Sequence, residues 1–374
     1  MYPNQRQKEI LNNWLGTARR VYNKTLEYIK KSKECVKISF QKLRNKFVTN
    51  RTGKNKVKNP NVEEWELKTP KEIRAYSVKN LVNAYKSAFS NLKNHNIAKF
   101  NINYKRKKSN RDNITIQKQS ISIKNNDNQK SCCFIYKRYI KDPIKLCNDK
   151  FLQNEFDDIE CDCKIQKIHN NWFLIIPYTI RNKDYHPKYN VCALDPGVNT
   201  FQTLYSPEQT VQFHQNKNKI VSLYKKSDLM QQLKDTSKIT AHAYKKSIGR
   251  IYTKLDNEIN ELHNKTINYI LKHYKTILLP SFDSQKMMGK YKYCNKWMCI
   301  LKHYQFKIKL QNKVNLSKSN LIICTEEYTS KTCTQCGKLC DKLSLSDRTF
   351  KCKCGLKINR DINGARNIYI KNMI

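Results

Sequence analysis

Two cysteine pairs near one end of the sequence constrain this chain more than any other feature. Cys333 and Cys336 form a C-x-x-C, Cys352 and Cys354 form a C-x-C, and 15 residues separate the pairs. Two close pairs on two loops can set four thiolates tetrahedrally around a zinc ion. Gly337 and Gly355 each follow a pair, where a knuckle turn needs a residue without Cβ. The competing reading, a disulfide framework, requires an oxidising compartment. The opening M-Y-P-N-Q-R-Q-K-E has no apolar signal-peptide core, and no apolar run has the length of a transmembrane helix. A soluble, intracellular protein is expected, with reduced thiols and no membrane partner. The four cysteines then read as a structural Zn2+ site, since four thiolates leave no open position for water. Cys340 stands close enough to replace one of them, because a C-x-C is a short second pair. Most of the 15 cysteines, such as Cys132/Cys133 and Cys161/Cys163, read as small buried side chains.

The charge balance names the class of partner. The chain carries 73 Lys and Arg against 30 Asp and Glu, a net charge of +43. Such a surplus repels itself unless a polyanion neutralises it, and bound phosphates release counterions that favour association. Nucleic acid is the expected partner, and no small-molecule substrate is expected. Charge alone does not imply an enzyme, because purely structural nucleic-acid proteins share this bias. The charge is spread along the whole chain, which argues against a membrane-surface role.

Periodicity divides the chain into three segments. Leu11, Trp14, Ala18, Val21, Thr25 and Ile29 step by three and four, which predicts a helix with one apolar face. A second helix is predicted from about Pro70 to Asn94, carrying Ile73, Tyr76, Leu81, Ala84 and Phe89. Residues 1–99 thus read as a helical recognition segment. From 100 to 188 the pattern turns to short β-type runs at Ile114, Ser120, Cys133 and Trp172, which predicts a small β-barrel or sandwich. The run Tyr104–Arg111, Y-K-R-K-K-S-N-R, is either a solvated charge cluster or a nucleic-acid contact. Residues 189–374 read as an α/β layer. N-V-C-A-L at Asn190 is a buried-type strand reaching Asp195, and T-F-Q-T-L-Y returns across Pro196-Gly197. Helix follows from about Lys217 to Tyr274, then a strand at Thr276. An amphipathic helix through Trp297, Leu301, Tyr304 and Ile308 is next, then a strand at Leu321, and a helix from about Asp361. That order is the one expected of an RNase H-like domain, with a zinc ribbon over 329–358 inserted in it.

Two acids draw attention within this domain. Hydrolysis of a phosphodiester by two metals needs carboxylates that hold hard cations a few ångströms apart, and Mg2+ suits such a site. Asp195 ends a buried-type strand, although a turn-capping Asp is common there. Asp361 opens a helix, where an N-cap or first-turn acid is equally ordinary.

Three motifs in order, A-L-D-P-G-V-N-T, T-S-K-T-C-T-Q-C-G and R-D-I-N-G-A-R-N, resemble the RuvC-type nuclease core of the TnpB family. The opening Y-P-N-Q and W-L-G-T-A-R-R-V-Y-N resemble that family's start. The resemblance implies a transposon-associated, RNA-guided DNA endonuclease that needs Mg2+ or Mn2+. Its partners would be a guide RNA and target double-stranded DNA. The segments before Tyr189 would hold the guide and a short target-adjacent duplex motif, the β segment being wedge-like. One departure stands out. Most TnpB proteins place their second acid at the end of the strand that here reads T-I-L-L-P-S-F, and Pro280 occupies that place. Fanzor proteins, the relatives from eukaryotes and large DNA viruses, show a similar L-L-P-S-F. They supply the acid from just before the cysteine motif. This chain has T-E-E-Y-T-S-K-T-C there, so Glu326 is expected as the second acid, with Glu327 and Asp283 as alternatives. A Glu ending the neighbouring strand, about 4.8 Å away, reaches the same metals. The expected centre is Asp195, Glu326 and Asp361. Arg360 and Arg366 are candidate phosphate contacts, or plain surface cations. The resemblance implies a nuclear or cytoplasmic location in a eukaryotic or virus-infected host. Two rival functions remain open: an inactive zinc-ribbon binding protein, and a transposase or recombinase that joins strands.

Overall fold

A computed structural model of the chain describes residues 1–374 except 33–37, 53–56, 108, 110, 126–130, 148–158, 179–185, 282–291, 341–346 and 374. The chain divides into two compact units, Met1–Thr179 and Ile180–Ile374.

In the first unit, α1 (Gln5–Lys31) starts at a capping box. Asn4 Oδ1 accepts from the Gln7 N–H at 2.9 Å, and Gln7 Oε1 accepts from the Asn4 N–H at 3.0 Å. The predicted stripe is the buried face: Leu11, Trp14, Ala18, Val21 and Thr25 are all buried. After α2 (Phe40–Phe47), a short hairpin of β1 (Arg51–Thr52) and β2 (Val57–Lys58) leads to α3 (Lys71–Lys93), which packs against α1. Phe89 of α3 stays half exposed, its ring beside Tyr85 and Phe100.

The β segment, read from sequence as a small barrel or sandwich, forms two three-stranded antiparallel sheets among the described residues. One sheet orders β3 (Arg111–Ile116), β7 (Cys163–Ile168) and β8 (Asn171–Ile175). The other orders β4 (Ile121–Asn125), β5 (Ser131–Ile135) and β6 (Ile144–Lys145), a meander inserted between β3 and β7. Helices and sheets share a core across residue 99. Leu11, Trp14 and Ile73 from the helices share one core with Ile116, Ile135 and Ile165 from the sheets. Trp14 meets Tyr136 and Tyr139 edge-on, with ring centroids 5.7 and 6.1 Å away. Burying each such large side chain contributes roughly 1.5–3 kcal/mol, so the two segments fold as one.

The second unit is built on a five-stranded sheet in the order β11-β10-β9-β12-β13. Its strands are β9 (Tyr189–Pro196), β10 (Gln202–Tyr205), β11 (Thr210–Phe213), β12 (Tyr274–Pro280) and β13 (Asn320–Cys324). β9, β10 and β11 are antiparallel neighbours, while β12 runs parallel to both β9 and β13. The hairpin predicted across Pro196-Gly197 pairs Thr203 with Asp195.

Alternation sorts the strand residues onto two faces. Cys192, Leu194, Phe201, Ile277 and Leu279 join the core beneath α4 (Lys217–Asp235) and α5 (Ala241–His273), with α6 (Lys292–Leu301) and α7 (His303–Val314). Val191, Ala193 and Leu278 face the other way, toward Ile368 of α8 (Arg360–Met373).

One predicted helix differs. The stripe Trp297, Leu301, Tyr304, Ile308 is broken at Lys302, whose left-handed φ of 51° ends α6 and starts α7 in a new phase. His303, Phe306, Leu310 and Val314 are buried instead, and Tyr304 is 67% exposed. Between α7 and α8 lies the knuckle, which includes the hairpin of β14 (Thr349–Lys351) and β15 (Lys357–Asn359).

Candidate catalytic and metal sites

Asp195 lies two residues beyond Ala193 on β9, so its side chain faces α8. An ideal Cβ built on Gly364 of that helix would stand 2.6 Å from Asp195 Oδ2. Helix and carboxylate therefore meet with no atom between them. Asp361 sits one turn earlier in α8, in its first turn. The cap reading considered for Asp361 belongs to Asn359, whose Oδ1 accepts from the N–H of Asp361 at 2.9 Å and of Ile362 at 3.3 Å.

Pro280 and Cys324 are paired at the ends of β12 and β13. The β12–β9 register pairs Leu278 with Ala193, so two further steps set Pro280 level with Asp195. Glu326 follows Cys324 by two residues and is half-buried. Asp361 and Glu326 both lie near enough for their charges to act on Asp195; among the described residues only the four cysteines bring their ligand atoms together as a group. Burial pushes the Asp195 carboxyl well above its usual range, and the charges of Asp361 and Glu326 push it further, against the opposing pull of Arg360. Burial, then the neighbouring Glu327, raises Glu326 as well.

Glu327 is exposed and pairs with Lys371 at 3.4 Å. Asp283 lies outside the described residues. Of the two arginines, Arg360 acts on Asp195. The Arg366 guanidinium lies over the Tyr205 ring, 5.9 Å from its centroid.

The four cysteines come together. Their sulfurs all lie within 4.8 Å of one another, with Cys333–Cys354 and Cys336–Cys352 each at 3.6 Å. A tetrahedral zinc with Zn–S near 2.3 Å sets its sulfurs about 3.8 Å apart, so the cluster fits that ion. Burial acts to raise the Cys333 thiol, but hydrogen bonds from the backbones of Cys336 and Gln335 outweigh it and lower it to about 7. Cys340 is outside the group that converges. Gly337 and Gly355 both take positive φ, 72° and 93°, as the knuckle turns require.

Sequence reasoning missed several residues that build this region. Gly364 makes room for Asp195. Asn363 and Asn367 of α8 donate to carbonyls of the knuckle's approach. The available signal was the spacing in R-D-I-N-G-A-R-N, where Gly364 is three residues from Asp361 and Asn367 four from Asn363, since residues three and four apart share a helix face.

The first unit has a basic cavity of its own, about 320 Å³, between α2, α3 and Gln117, which follows β3. Arg44, Lys71 and Lys79 line it with Tyr76, Gln117 and one acid, Glu72. Arg44 Nε is buried there with no hydrogen-bond partner. In the basic run that follows α3, Lys105 is half-buried, its Nζ 4.5 Å from the Tyr22 ring centroid.

Residues 303–368 match the Cas12f1-like TNB domain, and residues 1–35 match the OrfB/IS605 helix-turn-helix domain. Candidate transposase A625R of Paramecium bursaria Chlorella virus 1 is 29% identical over 99% of this chain and 84% of its own length. Candidate transposase R186 of Acanthamoeba polyphaga mimivirus is 30% identical over 61% of this chain, and the match spans about half, 51%, of R186. Further mimivirus relatives carry the name TnpB-like protein. The chain is similar to transposase and TnpB-like proteins of giant viruses. The fold of the chain agrees with that of a solved structure of a Cas12f1–sgRNA–target DNA complex. The TM-score is 0.57 at 17% identity, covering 98% of this chain and 83% of that one. No helix among the described residues is long and apolar enough to cross a membrane.

Proposed function

We propose that this chain is an RNA-guided DNA endonuclease of RuvC type, with Asp195, Glu326 and Asp361 holding Mg2+ or Mn2+. The observation that carries the reading is the approach of α8, which bears Asp361, to Asp195 at Gly364, with the charges of Asp361 and Glu326 both opposing ionisation of Asp195. Clustered carboxylates at the end of a sheet are costly without a cation, and three oxygen-ligand residues suit a hard divalent ion. When bound, such ions would activate water and stabilise the leaving oxygen. Asp195 and Asp361 would be fixed by sheet and helix, and Glu326 would take the place that Pro280 leaves without an acid at the end of β12. The strand order, with three antiparallel strands followed by two parallel ones, is the order expected of an RNase H-like domain.

The names of the relatives support the class. Cas12f1 of Sulfoacidibacillus thermotolerans is a CRISPR-associated endodeoxyribonuclease, 33% identical over 72 residues. The four cysteines would hold structural zinc beside the acids. The cavity bearing Arg44, Lys71 and Lys79 would contact the target-adjacent duplex, where phosphates and guanine edges seek cations. Base pairing with the guide would then read the remaining sequence. A host-cell location follows from the viral relatives.

The name transposase borne by R186 and A625R favours a second reading, strand transfer on the same acids. One experiment addresses both. The protein is purified with its co-transcribed RNA, supplied with Mg2+, and challenged with guide-matched DNA carrying randomised flanks. A linear donor end is included. RNA-dependent cleavage lost in both Asp195→Ala and Glu326→Ala supports the proposal. Loss in Asp195→Ala alone moves the second acid to Glu327 or Asp283. Joined donor–target products support transposase chemistry. RNA binding without cleavage supports an inactive binding protein.

A further inference from the structure

Glu326 and Asp361 are tied to the cysteine knuckle through two buried amides. Asn363 is fully buried and Asn367 is 7% exposed. Asn367 Nδ2 donates to the carbonyls of Thr329 and Thr332, each at 2.7 Å. Asn363 Nδ2 donates to the same Thr332 carbonyl at 2.8 Å, and its Oδ1 accepts from the Thr334 N–H at 3.4 Å. Both hydrogens of the Asn367 amide are therefore used. Thr329 carries the connection onward. Its N–H at 3.2 Å and its hydroxyl at 2.8 Å both donate to the carbonyl of Glu326.

The path ends on a metal ligand, because Thr332 directly precedes Cys333. At its other end, Asn363 lies two residues from Asp361 and adjoins Gly364, which touches Asp195. The three acids are held unequally. Asp195 is in β9, between two hydrogen-bonded neighbours in the sheet. Glu326 lies past the end of β13, an edge strand, where no ladder fixes it.

We infer that Asn367 and Asn363 are positioning residues that couple the filling of the four-cysteine site to the geometry of the acid site. The inference rests on the catalytic reading proposed above. An ion in the knuckle fixes the turn from Thr329 to Cys333, the amides transmit that geometry to α8, and the Thr329 bonds set the backbone that presents Glu326. Groups that orient metal ligands from outside commonly change metal affinity 10–100-fold when altered.

The test uses the full chain with its RNA and compares wild type, Asn367→Asp, Asn363→Asp and Asp195→Asn. Each Asn→Asp change is nearly isosteric and exchanges donated hydrogens for an acceptor. Zinc content, thermal unfolding and Mn2+ affinity by electron paramagnetic resonance are measured together. The expected result for Asn367→Asp is wild-type zinc content with Mn2+ affinity lowered about 10–100-fold. If that variant does not fold, wild type stripped of zinc by a thiol-selective chelator carries the same expectation. Mn2+ affinity unchanged in folded Asn367→Asp, or in the zinc-stripped chain, overturns the coupling. Wild type that binds Mn2+ no better than Asp195→Asn overturns the catalytic reading itself, and the coupling with it.

Discussion

A methyl group on Gly364 would stand 2.6 Å from Asp195 Oδ2 and 3.4 Å from its Cγ. The helix that carries Asp361 can approach the strand that carries Asp195 because a hydrogen occupies that position. The obstructed atom ends a rotatable side chain, so Gly364→Ala should fold, with the carboxylate displaced. We expect cleavage to fall about tenfold or more in Gly364→Ala, since a displacement of about 1 Å can cost 10²-fold. Gly364→Val should abolish cleavage and also lower the melting temperature. Single-turnover rates beside thermal melts check both outcomes.

Asp195→Asn should stabilise the metal-free chain while abolishing cleavage. The folded value of the Asp195 carboxyl lies above its unfolded value, so its ionised form subtracts stability at every pH above the unfolded value. Asparagine removes that cost at neutral pH. Added Mg2+ should then raise the melting temperature of wild type but not of Asp195→Asn, because a ligand stabilises only the state that binds it. Melting curves in chelator and in Mg2+ decide this.

Emptying the cysteine site should act locally. Cys352→Ser, or zinc removal from wild type, is expected to strip hydrogen-exchange protection from residues 329–340 and from the start of α8. Amides of α1 should keep theirs, because local opening follows cooperative units and α1 belongs to the other compact unit.

Stability should fall between pH 6.5 and pH 4. His263 and His303 flank the Phe201 ring at 5.1 and 5.2 Å between centroids. Burial lowers His263 to about 4, with Lys309 and Lys302 adding to the effect, and lowers His303 to about 3. Both bind protons more readily when unfolded, so stability is present above the unfolded value and is lost as pH falls toward the folded one. Each contributes about 1.4 kcal/mol per pH unit across that window. Urea melts at pH 7 and pH 5 should show the difference, and His263→Gln should shrink it.

The basic cavity of the first unit should set salt dependence. Arg44→Glu and Lys79→Glu are each expected to weaken target-duplex binding and to reduce the salt slope by about 1 per lost phosphate contact. Binding isotherms at several salt concentrations supply the slopes, and an unchanged slope removes the cavity from the duplex interface.

Local chemistry made much of this legible in the sequence. The α1 stripe, the Pro196-Gly197 hairpin and the cysteine pairs each encode their structure within a few residues. What escaped depends on distant partners. β7 carries Cys163, Ile165 and Ile168 among lysines, and its pairing with β3 across an inserted meander leaves no local mark. Lys302 has no glycine-like signature for its left-handed turn, so the stripe through Tyr304 ran on past the break. Glu326 came from family resemblance, because an acid past an edge strand looks in sequence like any loop acid. Gly364 read as a permissive helix residue until its approach to Asp195 gave it a purpose.

Neutral amides, those of Asn363 and Asn367, fasten α8 to the approach of the knuckle. The first unit uses the opposite device where Lys24 holds the buried Glu66 at 2.7 Å. A chain of net charge +43 meets a very different ionic surrounding once a polyanion lies along it. Lysines and acids near such a strand can be recruited away from each other by phosphate. Asparagine carries no charge to be recruited, so this fastening should keep the same geometry whether the chain is bare or fully loaded.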